Sequence, residues 1–204
     1  MKTATKRAEQ LKSLFKKALK DHKPQPLQTL EPLTALVKAA LAFDVSDDRA
    51  EDALAAIQRE YCDLNELRVA TDLEIQDLIG ARYPAGDQRA AIITQGLNAI
   101  FEREHTLNLD RLKAAKKAEA RQFLRDLPAM VPFVEAYTML YGFGANTIPI
   151  DQSMATCLLE KDIFDPNTSI EDIQKFCEHH IKAEASYDFF AAIRAASQSK
   201  KKGK

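Results

Sequence analysis

The chain has 204 residues, of which 46% are apolar, and this predicts a folded protein with a real core and excludes wholesale disorder. Its formal net charge is −1, so the charge of the whole chain does not indicate a nucleic-acid partner. No apolar run approaches the roughly 18 residues of a membrane span, and the N-terminal segment does not have the form of a signal peptide. We therefore expect a cytoplasmic protein that does not associate with a membrane.

The cysteines indicate neither a metal site nor a disulfide framework. Cys62, Cys157 and Cys177 are far apart, fit no zinc-binding spacing and are odd in number. The neighbouring His179 and His180 point about 100° apart on a helix, which is unfavourable for sharing an ion. The sequence thus predicts reduced thiols, no metal and no cofactor.

The basic residues are concentrated in three segments of an otherwise acidic chain. Residues 1–23 contain eight Lys or Arg against two acidic residues, and residues 110–125 contain six against two. The last five residues contain four lysines. Such segments are either solvated helix faces or phosphate-binding surfaces, and the pattern alone leaves both interpretations open.

Apolar residues at helical spacing dominate the first half of the chain. Ala8, Leu11 and Phe15 lie on one stripe of a basic first helix, which ends before a Pro24-Gln25-Pro26 linker. Further helices are predicted from Pro32, after Ser46 as N-cap, and after the capping box formed by Thr71 and Glu74. A long helix is expected over residues 85–104.

The second half continues the same pattern. The basic segment of residues 111–125 leads to a turn at Leu127-Pro128 and then to a helix from about Pro132 to Phe143. Asp151, Ser169 and Ser186 can each cap a further helix. Only residues 147–150 suggest extended chain. About ten helices with short connections predict an all-α fold.

The most specific pattern runs from Leu127 to Asp151. It begins Leu-Pro-Ala-Met-Val, continues through a helix to Tyr-Gly-Phe-Gly, and ends Ile-Pro-Ile-Asp. In this order and with gap-free spacing, it resembles the helix-hairpin-helix motif with Gly/Pro-rich loop and aspartate (HhH-GPD) of endonuclease III-type DNA glycosylases. The chain is also similar to bacterial endonuclease III-like proteins with altered hairpins. The resemblance covers roughly residues 30–165.

This resemblance implies a two-lobed helical fold. We expect a six-helix lobe over residues 45–150, a second lobe formed by residues 1–44 and 151–197, and a basic disordered tail over residues 198–204. The four C-terminal cysteines that bind an iron–sulfur cluster in many members are absent, so no cluster is expected. The implied setting is a monomer in the bacterial cytosol or nucleoid, with intact or damaged double-stranded DNA as partner.

The chain departs from the family at the hairpin and at two pocket positions. Ala129 and Val131 replace glycines whose N–H groups approach a DNA phosphate, often with positive φ, a conformation that a β-branched Val disfavours. Phe133 stands at the Schiff-base lysine position, so lyase chemistry is not expected. Asp44 stands at the position of the base-replacing Gln.

The resemblance also assigns candidate site residues. Asp151 matches the catalytic aspartate, which activates water or stabilises the sugar cation, although capping the following helix is a compatible structural role. Asp44, Phe133 and Tyr137 are candidates for a base pocket, and Tyr137 equally fits the core. The candidate DNA-binding residues are Lys113, Lys116, Lys117, Arg121, Arg125, Ala129 and Val131.

These observations leave three interpretations open. The first is a DNA-binding protein of the base excision repair class that is at most a monofunctional DNA N-glycosylase using Asp151. The second is a catalytically inactive relative that keeps the fold for interaction or scaffolding, which the lost hairpin glycines favour. The third is a helical bundle whose similarity to the family is due to chance.

Overall fold

The computed structural model describes residues 3–199, which form twelve α-helices and one 3₁₀ turn, without a β-strand in this range. The predicted all-α fold is confirmed. The helices beyond the expected ten include the short ones at Leu64–Val69 and Asp110–Ala114, whose few residues carry no clear periodicity. None of the described helices is both long and apolar enough to cross a bilayer.

The described chain divides into two compact units, one of residues 29–145 and the other of residues 3–28 and 146–199. The predicted boundaries were different, because they grouped residues 29–44 with the terminal segments. The helix in this stretch is buried on almost all sides, so it must be enclosed by other helices. It is enclosed within the unit of residues 29–145.

The unit of residues 29–145 contains eight helices rather than the six expected for residues 45–150. The first helix of the chain, α1 (Ala4–Asp21), belongs to the other unit. The eight helices of this unit are therefore numbered from α2: α2 (Pro32–Ala42), α3 (Asp47–Glu60), α4 (Leu64–Val69), α5 (Asp72–Ile79), α6 (Gly86–Glu104), α7 (Asp110–Ala114), α8 (Lys117–Arg125) and α9 (Pro132–Phe143). Helix α2 is central and packs most extensively on α9. Gly142 permits this approach, because a Cβ there would lie 2.8 Å from Cα of Pro32.

A buried arginine fixes the loops at one end of this unit. Arg89 is fully buried and donates hydrogen bonds to the carbonyl oxygens of Ala40 at 2.8 Å, Phe43 at 2.6 Å and Pro84 at 2.6 Å. Its guanidinium also lies 3.8 Å from the ring centroid of Phe43. One side chain therefore connects the end of α2 to the loop before α6.

The second unit is built from α1 (Ala4–Asp21), α10 (Gln152–Leu159), α11 (Ile170–His180) and α12 (Ser186–Ser199), with the 3₁₀ turn Ala183–Ala185 before α12. Helix α12 packs on both α1 and α10. The rings of Phe15 and Phe189 meet edge to face at 5.3 Å between centroids. Leu11 and Phe189 are fully buried, so the apolar stripe of α1 is covered by α12.

The predicted disordered tail begins too early. Residues 198 and 199 belong to α12, which ends at Ser199, and the neighbouring Ser197 is buried and donates to the carbonyl oxygen of Arg194 at 2.7 Å. Polar residues at the end of a packed helix do not by themselves end it. The remainder of the predicted tail, residues 200–204, lies outside the described residues.

Candidate nucleic-acid interface

The turn between α8 and α9 keeps a sharp hairpin geometry without glycine. Ala129 has a φ of 57°, in the left-handed region, which costs roughly 1 kcal/mol for a residue with a Cβ. Val131 has a φ of −114° and a ψ of 149°, which is ordinary extended backbone. Val131 therefore does not adopt the positive φ that a β-branched side chain disfavours, and in this turn only Ala129 does.

The turn presents unused hydrogen-bond donors. Within the described chain, the backbone N–H groups of Ala129, Met130 and Val131 donate to no other group. Val131 provides no side-chain cap for α9, so the start of that helix keeps the partial positive charge of its orphan amides. Successive amides leading into a helix N-terminus are the arrangement that binds a phosphate or another anion.

A buried carboxylate ties the two helices of the hairpin together. The side chain of Glu135, on α9, is 4% exposed and lies between two arginines of α8. Arg121 Nε donates to Oε1 at 2.7 Å and Arg125 Nε donates to Oε2 at 3.1 Å. Two guanidinium groups compensate the desolvated carboxylate and hold α8 against α9. The sequence alone did not reveal this contact. The signal that could have revealed it is a single acidic residue in an apolar helix, placed shortly after two arginines that lie one helical turn apart.

The contacts of Arg121 and Arg125 belong to a wider pattern in the basic segment. Lys113 Nζ pairs with Glu31 at 2.7 Å and with Asp110 at 3.0 Å, and these carboxylates raise the pKa of Lys113. Lys117 Nζ donates to the carbonyl oxygen of Phe143. Four of the five predicted phosphate-binding cations thus have partners inside the unit.

The two remaining cations of this segment differ in their contacts. Lys116 is exposed and, within the described residues, its amine has no partner. Arg111, which was not among the predicted residues, pairs with Glu104 at 2.7 Å and with Glu119 at 3.0 Å. Its hydrogen bond to Glu104 lowers the pKa of that carboxyl. Most of the positive charge in residues 110–125 is therefore balanced locally.

The predicted pocket residues lie in different surroundings. Phe133 and Tyr137 are both buried in α9, with ring centroids 5.7 Å apart, and Tyr137 stacks on Tyr141 at 4.3 Å. Asp44 is exposed after the end of α2 and has a φ of 59°, which aspartate tolerates better than most residues. The burial of the two rings fits the core role. A base pocket formed by these residues stays a prediction.

The candidate catalytic aspartate belongs to the other unit and has two structural contacts there. Asp151 Oδ1 accepts the N–H of Met154 at 2.8 Å, which is the N-cap of α10. Its Oδ2 accepts from Arg194 Nη1 of α12 at 3.1 Å, and the two side chains are 3% and 4% exposed. The cap was expected from the sequence. Arg194 was not, because it lies 43 residues further along the chain.

The described residues contain no group of three or more histidine, cysteine, aspartate or glutamate side chains that could hold a metal ion. Of the three cysteines, Cys157 and Cys177 are buried and Cys62 is exposed. Burial raises the pKa of Cys177 well above that of an ordinary thiol, so this residue remains a neutral part of the core.

No protein family model matches the chain, and no curated relative matches it. Several solved structures match the chain. An endonuclease III trapped as a covalent intermediate with DNA is 15% identical, with 95% of this chain and 85% of that chain covered and a TM-score of 0.71. An 8-oxoguanine glycosylase/lyase of Clostridium acetobutylicum, in complex with double-stranded DNA, is 14% identical over 98% and 71% of the two chains, with a TM-score of 0.74.

A 3-methyladenine DNA glycosylase of H. pylori (MagIII), bound to 1,N6-ethenoadenine, is 16% identical and has a TM-score of 0.66. The match covers 98% of this chain and 99% of that one. At these identities the likeness concerns the fold. The chain therefore has the all-helical fold of these DNA glycosylase structures, as its resemblance to the HhH-GPD family predicted.

Proposed function

We propose that this chain binds duplex DNA through the α8–α9 hairpin as a protein of the base excision repair class, and that its chemistry is at most monofunctional base excision using Asp151. The observation that carries the proposal is the hairpin turn. Ala129 keeps the left-handed conformation although it has a Cβ, and three successive N–H groups remain free for an acceptor.

Two properties of the turn support phosphate binding. Backbone conformations that cost about 1–3 kcal/mol persist where the surroundings enforce them, and they cluster at functional sites. Here the ion pairs of Glu135 with Arg121 and Arg125 hold the two helices that flank the turn. The amides of the turn are accessible from outside the chain, and a phosphate oxygen at the start of α9 would be an acceptor that also interacts favourably with the helix dipole.

Phe133 limits the chemistry. A lyase needs an amine that attacks the sugar C1′ and forms an imine, and the buried phenyl ring at this position has no nucleophile. Excision by this chain would therefore hydrolyse the glycosidic bond with water. The products would be a free base and an intact abasic site.

A second candidate function is DNA binding without excision, and the contact between Arg194 and Asp151 favours it. A carboxylate that activates water or stabilises a sugar cation must face the substrate. In this structure both oxygens of Asp151 accept hydrogen bonds from the protein, one from Met154 and one from Arg194, and the side chain is buried. Catalysis would require this contact to open.

A matched pair of hairpin variants tests the DNA-binding proposal. Asp and Asn both tolerate the left-handed conformation at the exposed position of Ala129, and they differ mainly in charge. Ala129→Asp places an anion beside the free amides, so we expect duplex affinity to fall more than tenfold in fluorescence anisotropy at low salt. Ala129→Asn should stay within about threefold of the wild type. Equal affinities for both variants would contradict phosphate binding at this turn.

A base-release screen tests the chemistry. Duplexes with single damaged bases are incubated with the wild type and with Asp151→Asn, and free base is measured beside borohydride trapping. Monofunctional excision predicts released base, a rate at least about 10²-fold lower for the variant, and no trapped adduct. Absence of release from every lesion, with DNA binding retained, would select the non-catalytic candidate. A trapped adduct would refute both.

A further inference from the structure

Helix α1 carries a lysine face that the hairpin does not account for. Its 18 residues span about 27 Å. At about 100° per residue, five lysines fall within an arc of about 140°, and the arc is centred nearly opposite the buried stripe of Leu11, Ala8 and Ala18. The lysines of this face are Lys6, Lys12, Lys16, Lys17 and Lys20.

All five side chains of the lysine face are exposed, and none of them forms an ion pair or hydrogen bond with another described residue. Glu9 is the one acidic residue of α1 that falls in the same arc, and Asp21 follows at the end of the helix. Arg7, which lies outside the arc, is paired with Asp165. Burial lowers the pKa of His180 on α11, and the nearby charges of His179 and Lys12 add to this effect.

We propose that the lysine face of α1 binds the phosphate backbone of duplex DNA, as a second contact surface on a different unit from the hairpin. Five cations along about 20 Å form a linear array, and duplex DNA offers one negative charge per roughly 1.7 Å of its axis. The face has no aromatic or amide side chains, and lysine ammonium groups bind phosphates as point charges, so we expect a contact that depends little on sequence. The choice of DNA as the polyanion rests on the proposed function.

A membrane surface is the other polyanion that suits a basic amphipathic helix, but the structure disfavours it. Such a helix binds lipid by inserting its apolar face. In α1 that face is occupied, because Leu11 is fully buried and Phe15 packs on Phe189 of α12. Lipid insertion would require α1 to leave its unit, whereas phosphate contact uses the face that is already exposed.

The test uses two triple variants with the same change in net charge. Lys12→Gln/Lys16→Gln/Lys20→Gln removes three of the five lysines of the face, spaced about one helical turn apart. Lys161→Gln/Lys175→Gln/Lys182→Gln removes three exposed lysines from other elements and serves as control. Binding to a fluorescein-labelled 20-base-pair duplex is measured from about 25 to 200 mM salt. Each lost phosphate contact lowers the slope of log K against log salt by about 0.9.

We expect the α1 variant to lose more than tenfold in affinity at the lowest salt and about two to three units of slope, while the control keeps the wild-type slope. Equal behaviour of the two variants, or no duplex binding by the wild type, would overturn the proposal. Ala129→Asp measured in parallel separates this proposal from the hairpin, because each surface can fail alone. Cosedimentation with phosphatidylserine vesicles is measured for the same proteins. If the α1 variant alone loses vesicle binding while its affinity for DNA is unchanged, the lysine face binds lipid instead.

Discussion

The two basic segments of the described chain are alike in composition and opposite in structure. In residues 110–125, five of the six cations contact carboxylates or carbonyl oxygens of their own unit, and Glu135 alone binds two of them. On α1 the five lysines of the lysine face are exposed and lack partners among the described residues. The comparison shows that a local excess of Lys and Arg does not identify a phosphate-binding surface until the partners of each side chain are known.

The largest effect should come from the internal ion pairs. Arg121→Met/Arg125→Met leaves the buried Glu135 without a cation, and removing the partners of a buried charge typically costs roughly 3–5 kcal/mol. Urea unfolding should show this loss of free energy of unfolding. The corresponding α1 variant, Lys16→Met/Lys20→Met, should change stability by about 0.5 kcal/mol or less. Similar losses in both variants would remove the distinction between the two segments.

The ion pair of Asp151 extends the comparison to the second unit. From the sequence, Asp151→Asn was expected to have little effect on stability, because Asn caps helices about as well as Asp. The structure changes this expectation, since the variant leaves Arg194 buried without a countercharge. We expect the free energy of unfolding, measured by urea denaturation, to fall by about 2–3 kcal/mol. This is less than the usual cost of breaking a buried ion pair, because the amide oxygen of Asn still accepts hydrogen bonds.

The double variant Asp151→Asn/Arg194→Met provides the control for this prediction. If the two side chains stabilise each other, the two substitutions together should cost less than the sum of the single substitutions. Additive losses would mean that the contact seen between Oδ2 and Nη1 contributes little to stability.

The smallest effect tests the comparison inside residues 110–125. Lys116 is the exposed cation there whose amine has no described partner, whereas Arg111 is held by Glu104 and Glu119. Lys116→Gln should lower duplex affinity about threefold at low salt and reduce the salt slope by about 0.9. Arg111→Gln should leave the slope unchanged. A larger effect of Arg111 than of Lys116 would show that the internal pairs open when DNA binds.

The sequence predicted those features that depend on local chain chemistry. Helical periodicity identified the all-α fold, and the capping box of Thr71 and Glu74 forms as expected because both hydrogen bonds involve neighbouring residues. The cap of α10 by Asp151 was predictable for the same reason. The order of motifs from Leu127 to Asp151 was enough to identify the fold that the solved structures share.

The features that escaped sequence analysis depend on residues distant in the chain. Arg121 looked like a phosphate contact because its partner Glu135 lies across the hairpin turn. Arg194 gave no signal, since nothing near α12 in the sequence indicates that it meets Asp151. The boundary near residue 44 was misplaced because burial of α2 on almost all sides, rather than any local break, decides which unit contains it.

The buried Arg89 has a consequence for the loop that contains Asp44. One guanidinium satisfies carbonyl oxygens at Ala40, Phe43 and Pro84, so neither chain segment can open without leaving a desolvated cation and unbonded carbonyls behind. The two segments therefore open as one cooperative unit. Their amide protons should exchange with solvent at a common opening free energy, and Asp44 is carried on a rigid support although its side chain is exposed.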